Sequence, residues 1–141
     1  MTKRTAHNLD WVPPGRVVSM RPAGEWWDAV RVPRAIGLSV LGRLGDDTGA
    51  VIEDPGGRLF YWLVPTGHAV AWEFHPAAQV QVLRETAHVA VPGPQRTAGP
   101  QWRVPPTRGR CLTDASQLRA ALEAAVSAAL GPREIAGERA S

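Results

Sequence analysis

The chain has little of what builds disulfides, membrane anchors or secretion signals. It contains 1 cysteine in 141 residues, which excludes an intrachain disulfide and is typical of a reducing compartment. No apolar run approaches the roughly 18 residues that a membrane-spanning helix needs. The basic N-terminus "MTKRTAHNLDW" has no apolar segment behind it, as a signal peptide would have. The sequence therefore predicts a cytoplasmic protein without a membrane partner.

Lysine is almost absent as well, since Lys3 is the only lysine among 16 basic residues. GC-rich genomes favour arginine codons, so genome composition explains this bias as well as function does. The functional explanation is a surface that meets phosphate or carboxylate, for which the arginine fork is suited. A formal net charge of +3, spread along the chain, favours a nucleic-acid partner only weakly.

The motifs of metal sites and of nucleophilic catalysis are missing. The 4 histidines include no i, i+4 pair, and there is no C-x-x-C motif. His68 and His75 share a loop with Glu73, but a polar loop is the better interpretation there. No G-x-S-x-G, S-x-x-K or phosphate-binding glycine motif occurs. The sequence predicts no catalytic residue, no metal and no cofactor.

Glycine and proline are abundant, with 14 and 13 residues, which favours many turns and short strands over a helical bundle. Extended runs are predicted at 16–20, 28–32, 49–53, 58–64, 79–83, 87–92 and 101–104. Helices are predicted at about 33–45, where Pro33 suits a first helical position, and at 114–130, where Asp114 and Gln117 stand in an N-cap and N3 relation. The pattern predicts an α+β fold, with a mostly antiparallel sheet of hairpins and two main helices packed on it.

The same pattern predicts the domain organisation. Residues 1–14, which end in "WVPPG", are expected to form an N-terminal arm, because paired prolines block both helix and central strand. Residues 15–131 are expected to form a single α+β domain, and residues 132–141 a flexible tail.

The stretch "DPGGRLFYWLVP" (54–65) predicts a hairpin, because two extended runs flank a Pro-Gly-Gly turn. Its apolar residues, with Trp62 among them, are expected in the core, and Asp54 is expected to serve the turn. With "AHVAVPGPQRTAGPQWRVPP" (87–106) and "DAVRVPRAIGLSVLGRLG" (28–45), this hairpin resembles the bifunctional primase-polymerase (prim-pol) domain of the archaeo-eukaryotic primase superfamily. The resemblance covers residues 17–127, and similar short chains occur among actinobacteria.

The resemblance lacks two features of the family's active site. The family's Asp-x-Asp metal motif would fall on the strand that here ends with Val30, Arg31, Val32 and Pro33, where only Asp28 is nearby. The family's histidine after the Gly-Gly pair is replaced by Leu59. Polymerisation requires a metal that stabilises charge on the transferring phosphoryl group. The resemblance therefore implies a non-catalytic domain that binds nucleic acid or a nucleotide-type ligand.

Three hypotheses follow, from different classes of function. In the first, a ligand or nucleic acid is bound by Arg58, His88, Arg96, Trp102 and Arg103. In the second, the fold is a protein-interaction or regulatory module that uses its arm and exposed tryptophans, namely Trp11, Trp26, Trp27 and Trp72. In the third, the protein is a metal-dependent enzyme with relocated carboxylates, Glu53, Asp54 or Asp28.

Overall fold

The α+β fold is confirmed in a computed structural model, which describes residues 8–107 and 109–131. The strands are β1 (Val18–Pro22), β2 (Asp28–Pro33), β3 (Val51–Asp54), β4 (Leu59–Val64), β5 (Gln81–Leu83), β6 (His88–Pro92) and β7 (Gln101–Val104). The helices are α1 (Arg34–Leu44) and α2 (Ala115–Leu130), with short 3₁₀ turns at Gly45–Asp47 and Pro76–Ala78. Each predicted strand or helix boundary lies within two residues of the observed one.

The strands form two antiparallel sheets. One has five strands in the order β5-β2-β4-β3-β7, and the other pairs β1 with β6. The predicted hairpin is β3–β4, with Val51 opposite Trp62 and Asp54 opposite Leu59. Among the described strands this pairing is the one that joins neighbours along the chain. Longer connections therefore bring the other strands together.

The five-stranded sheet is buried on both faces. Alternate residues of a strand point to opposite sides, so its side chains divide between two separate clusters. Val32, Phe60 and Trp62 belong to a cluster with residues of both helices, including Val40 and Leu122. The two helices therefore form a layer on one face of this sheet. The predicted core residues of the hairpin are all fully buried: Val51, Ile52, Phe60, Trp62 and Val64.

The opposite face of the sheet is covered by the β1–β6 pair and by residues 9–12. Ala29 and Leu63 of the sheet share this second cluster with Val89 of β6 and with Trp11. Arg21 anchors the segment, since its Nε donates a hydrogen bond to the carbonyl oxygen of Trp11 at 2.8 Å. The molecule therefore has three layers, and the described part of the N-terminal segment belongs to its core.

Two expectations about exposure are wrong, because Trp11 and Trp27 are both fully buried. Their rings meet edge to face with centroids 5.6 Å apart, an arrangement that favours a pair of large aromatic side chains in a core. Residues 1–7 of the predicted arm and the predicted tail at 132–141 lie outside the described residues. Among the helices described, none is long and apolar enough to cross a membrane.

Candidate functional site

Arg58 ends the Pro-Gly-Gly turn in a left-handed backbone conformation, with φ at 57°. Its N–H donates to the carbonyl oxygen of Pro55 at 3.2 Å, and its own carbonyl accepts the N–H of Arg34 at 2.8 Å. Asp54 serves the turn as expected, because its Oδ1 accepts the N–H of Gly57 at 3.3 Å. The backbone of Arg58 thus ties the hairpin turn to the first residue of α1, while its side chain stays exposed.

An open cleft of about 830 Å³ lies between this turn, the start of α1 and the edge strand β5. Arg31, Arg34 and Arg58 all line the cleft, and Gln79 and Gln81 close its β5 side. The described lining residues include neither a carboxylate nor an aromatic ring. Because an arginine side chain stays charged at any physiological pH, the cleft concentrates three positive charges.

Arg31 is held in place by groups on both neighbouring strands. It stands opposite Tyr61 of β4 and Gln81 of β5, and its guanidinium donates a hydrogen bond to Oε1 of Gln81. Burial raises the pKa of the Tyr61 hydroxyl above its ordinary value, and Asp54 acts in the same direction, while the charge and hydrogen bond of Arg31 oppose them. With Oε1 of Gln81 engaged, the NH₂ group of that amide supplies its donors.

Glu53 links the cleft to a fourth arginine. Its Oε2 lies 3.9 Å from Nε of Arg34, and its Oε1 lies 3.5 Å from a terminal nitrogen of Arg103. The Glu53 side chain is 17% exposed, whereas those of Arg34 and Arg103 are 43% and 42% exposed. The Arg103 guanidinium also stands over the Phe60 ring, 5.7 Å from its centroid, at the range of a cation–π contact.

Two of the five predicted ligand contacts, Arg58 and Arg103, are therefore connected through Arg34 and Glu53. The other three lie on the side of the β1–β6 pair. Half-buried Trp102 packs against Trp11 with ring centroids 6.0 Å apart, and its Nε1 donates to the carbonyl of Pro92 at 2.8 Å. These contacts hold Trp102 against the cluster on the β1–β6 side.

Arg96 and His88 complete that second group. Arg96 donates a hydrogen bond to the carbonyl of Arg16 at 3.1 Å and is partly buried. His88 is exposed at the start of β6, where it stands opposite Pro22 of β1. Neither residue lines the arginine cleft, so the five predicted contacts are divided between two parts of the structure.

The remaining predicted partner contacts, Trp26 and Trp72, are half-buried. Trp26 packs against the cluster on the β1–β6 side. Trp72 packs against the helical cluster, and its ring meets Phe74 edge to face at 6.1 Å. Of the four tryptophans proposed as a contact surface, two are therefore fully buried and two are half-buried.

Sequence reasoning missed Arg31 and Arg34 as parts of the site. Each of these two residues breaks a local rule of structure, and that break is the signal by which the sequence could have identified them. Arg31 interrupts an apolar strand between Val30 and Val32, which are fully buried. Arg34 opens α1, whose first turn has no acidic residue and no side-chain cap, although the positive end of a helix disfavours a cation.

The three carboxylates proposed for a metal-dependent enzyme each have a different structural partner. Asp28 is buried and accepts the N–H of Gly67 at 2.8 Å, Glu53 contacts two arginines, and Asp54 serves the turn. Over residues 8–107 and 109–131, no group of three His, Cys, Asp or Glu residues is placed to hold a metal ion. Burial raises the pKa of the Cys111 thiol, which disfavours the reactive thiolate.

No protein-family model, curated protein or solved structure matches this chain. The resemblance to the prim-pol domain therefore stays a prediction. The α+β architecture and the turn at Arg58 stand on the structure alone.

Proposed function

We propose that this chain binds nucleic acid or a nucleotide-type ligand by its phosphate groups, in the arginine cleft, without catalysing a reaction on it. One observation carries the proposal: Arg31, Arg34 and Arg58 line the same open cleft, and no described lining residue is a carboxylate. Guanidinium groups donate paired hydrogen bonds that match the oxygens of phosphate. The start of α1 adds a favourable field for an anion.

The positions of these arginines support the proposal, because each carries a local cost. A left-handed conformation costs a residue other than glycine about 1–2 kcal/mol, and Arg58 adopts it. A cation in the first turn of a helix opposes the helix dipole, and Arg34 occupies that place. Broken local rules of this kind are expected at functional or strained sites.

The resemblance to prim-pol domains favours a nucleotide or nucleic acid among phosphate-bearing ligands. The alternative of a protein-interaction module loses its main support, since Trp11 and Trp27 are buried. The family's histidine, which contacts the nucleotide phosphate there, is missing here, so in this proposal the guanidinium groups of the cleft supply the phosphate contacts.

Calorimetric titration with inorganic pyrophosphate and with a nucleoside diphosphate at low ionic strength tests the proposal. Hydrogen bonds to charged groups contribute about 1.5–3 kcal/mol, so Arg58→Ala and Arg31→Ala are each expected to weaken binding by roughly tenfold or more. Arg119→Ala is the matched control, because Arg119 is an exposed arginine of α2 that pairs with Glu123 at 3.4 Å. Equal affinity in all four proteins, or no binding by the wild type, would overturn the proposal.

A further inference from the structure

On the basis of that proposed function, we infer that the ligand is a nucleic-acid strand whose backbone runs from the arginine cleft to Arg103, and that Glu53 limits the affinity for it. A mononucleotide would occupy the cleft alone. A strand would also meet Arg103, which the sequence singled out and which lies outside the cleft lining.

The contacts of Glu53 carry the first step. At 3.9 and 3.5 Å, its distances to Arg34 and Arg103 exceed the 2.7–2.9 Å that is typical of a charge-assisted hydrogen bond. Both arginine side chains are also exposed over about two fifths of their surface, at 43% and 42%. They are therefore held near one another by a loose ion network, in which each keeps donors free for a second anion.

The absence of a stacking platform carries the second step. Proteins that grip single-stranded bases use exposed aromatic rings for stacking, but no ring is among the described residues that line the cleft. Trp102, which precedes Arg103 in sequence and was a candidate for base stacking, is half-buried against the cluster on the β1–β6 side. Without rings for base stacking, the cleft contacts the phosphates of the strand. Such contacts position a nucleic acid without reading its sequence, so binding is sequence-independent.

Glu53 provides the third step, because a half-buried carboxylate between two arginines repels an incoming phosphate and competes for their donors. Neutralising Glu53 removes both effects. In Glu53→Gln, Arg34 and Arg103 become fully available to the strand. The affinity for the strand therefore rises, and its dependence on salt becomes steeper.

The test is fluorescence anisotropy with a labelled dT 20-mer over a range of salt concentrations, alongside the pyrophosphate titration. Each phosphate contact on a single strand contributes about −0.7 to the slope of log K against log salt. Arg103→Gln is expected to make the slope shallower by about 0.7, and to weaken the oligonucleotide more than pyrophosphate. Glu53→Gln is expected to tighten oligonucleotide binding several-fold, and Arg119→Gln to leave both titrations unchanged.

Each outcome supports or overturns the inference. A slope in Arg103→Gln equal to that of the wild type overturns it even if Glu53→Gln fails to fold, because Arg103 is exposed. Poly-glutamate that binds as tightly as the 20-mer overturns the assignment to a phosphodiester strand. If pyrophosphate binds the cleft but the 20-mer shows no added contact, the strand is excluded and the proposed function stands. If neither binds, the proposed function fails too.

Discussion

Gly37 of α1 lies directly against the ring of Phe60 in β4, so closely that a Cβ atom at position 37 would overlap the ring. Phe60 in turn stands opposite Glu53 of β3 and beneath the guanidinium of Arg103. This contact sets the height of α1 above the sheet. Since Arg34 begins that helix, the same contact fixes where Arg34 stands relative to Glu53 and Arg58.

Gly37→Ala is expected to destabilise the fold by about 1–3 kcal/mol, the usual cost of overpacking a core. Alanine is otherwise preferred to glycine inside a helix by about 1 kcal/mol. Gly42 of the same helix offers the matched control, because a Cβ added there would meet no atom within 4 Å beyond its chain neighbours and the backbone of its own helix. Gly42→Ala should therefore stabilise. Urea denaturation of both variants measures the two effects. If Gly37→Ala were as stable as Gly42→Ala, α1 would not be held tightly against Phe60.

Arg58→Gly separates stability from binding. Glycine adopts a left-handed backbone without the strain of about 1–2 kcal/mol, but it loses more conformational entropy on folding. The substitution is therefore expected to raise the free energy of unfolding by a net amount of up to about 1 kcal/mol. The lost guanidinium should at the same time weaken pyrophosphate binding by roughly tenfold or more. Denaturation and calorimetry on one preparation measure both effects. A variant that loses stability and affinity together would instead indicate that the Arg58 side chain supports the fold.

Trp11→Ala tests whether the N-terminal segment belongs to the core. Removal of a fully buried tryptophan is expected to lower the free energy of unfolding by about 3–5 kcal/mol. Met20→Ala, at a side chain that is 58% exposed, should change it by no more than about 0.5 kcal/mol. Thermal and urea denaturation provide the comparison. Were Trp11 an exposed contact residue, its removal would leave stability as unaffected as the removal of Met20.

The strands and helices were largely predictable, because each depends on local information. The Pro-Gly-Gly sequence between two apolar runs predicted the hairpin. The Asp114 cap and an apolar stripe predicted α2. The burial of Trp11 could not be predicted, because it depends on the β1–β6 pair, which forms one wall of the cluster around Trp11. The two strands of that pair are about 70 residues apart along the chain. Nothing near Trp11 in sequence indicates that wall.

The site was predicted only in part for the same reason. Arg58 stood out because it ends a recognisable turn. Arg31 and Arg34 join it through the antiparallel pairing of β2 with β4 and through the backbone bond between Arg34 and Arg58. Trp102 and Arg103 are neighbours in sequence, yet they serve different faces of the sheet, as alternation along a strand requires.

Asp114 gives a prediction about pH. Its carboxylate caps α2, with Oδ1 accepting the hydroxyl of Ser116 at 2.6 Å and the N–H of Gln117 at 3.0 Å. These bonds, that of Ser116 above all, hold the pKa of Asp114 below its ordinary value of 3.8, and the charge of His68 acts in the same direction. A lowered pKa in the folded state stabilises the fold above pH 3.8, and this contribution is lost as the pH falls through the folded-state value.

Asp114→Asn isolates that contribution, because asparagine also caps helices well but does not titrate in this range. The difference in unfolding free energy between wild type and variant should be steady around pH 5, above the range in which Asp114 titrates. It should then move against the wild type as the pH falls below about 4. Ser116→Ala should bring the Asp114 pKa, followed by carboxyl NMR, back up towards 3.8. An unchanged pKa in that variant would mean that the hydroxyl of Ser116 is not the main cause of the shift.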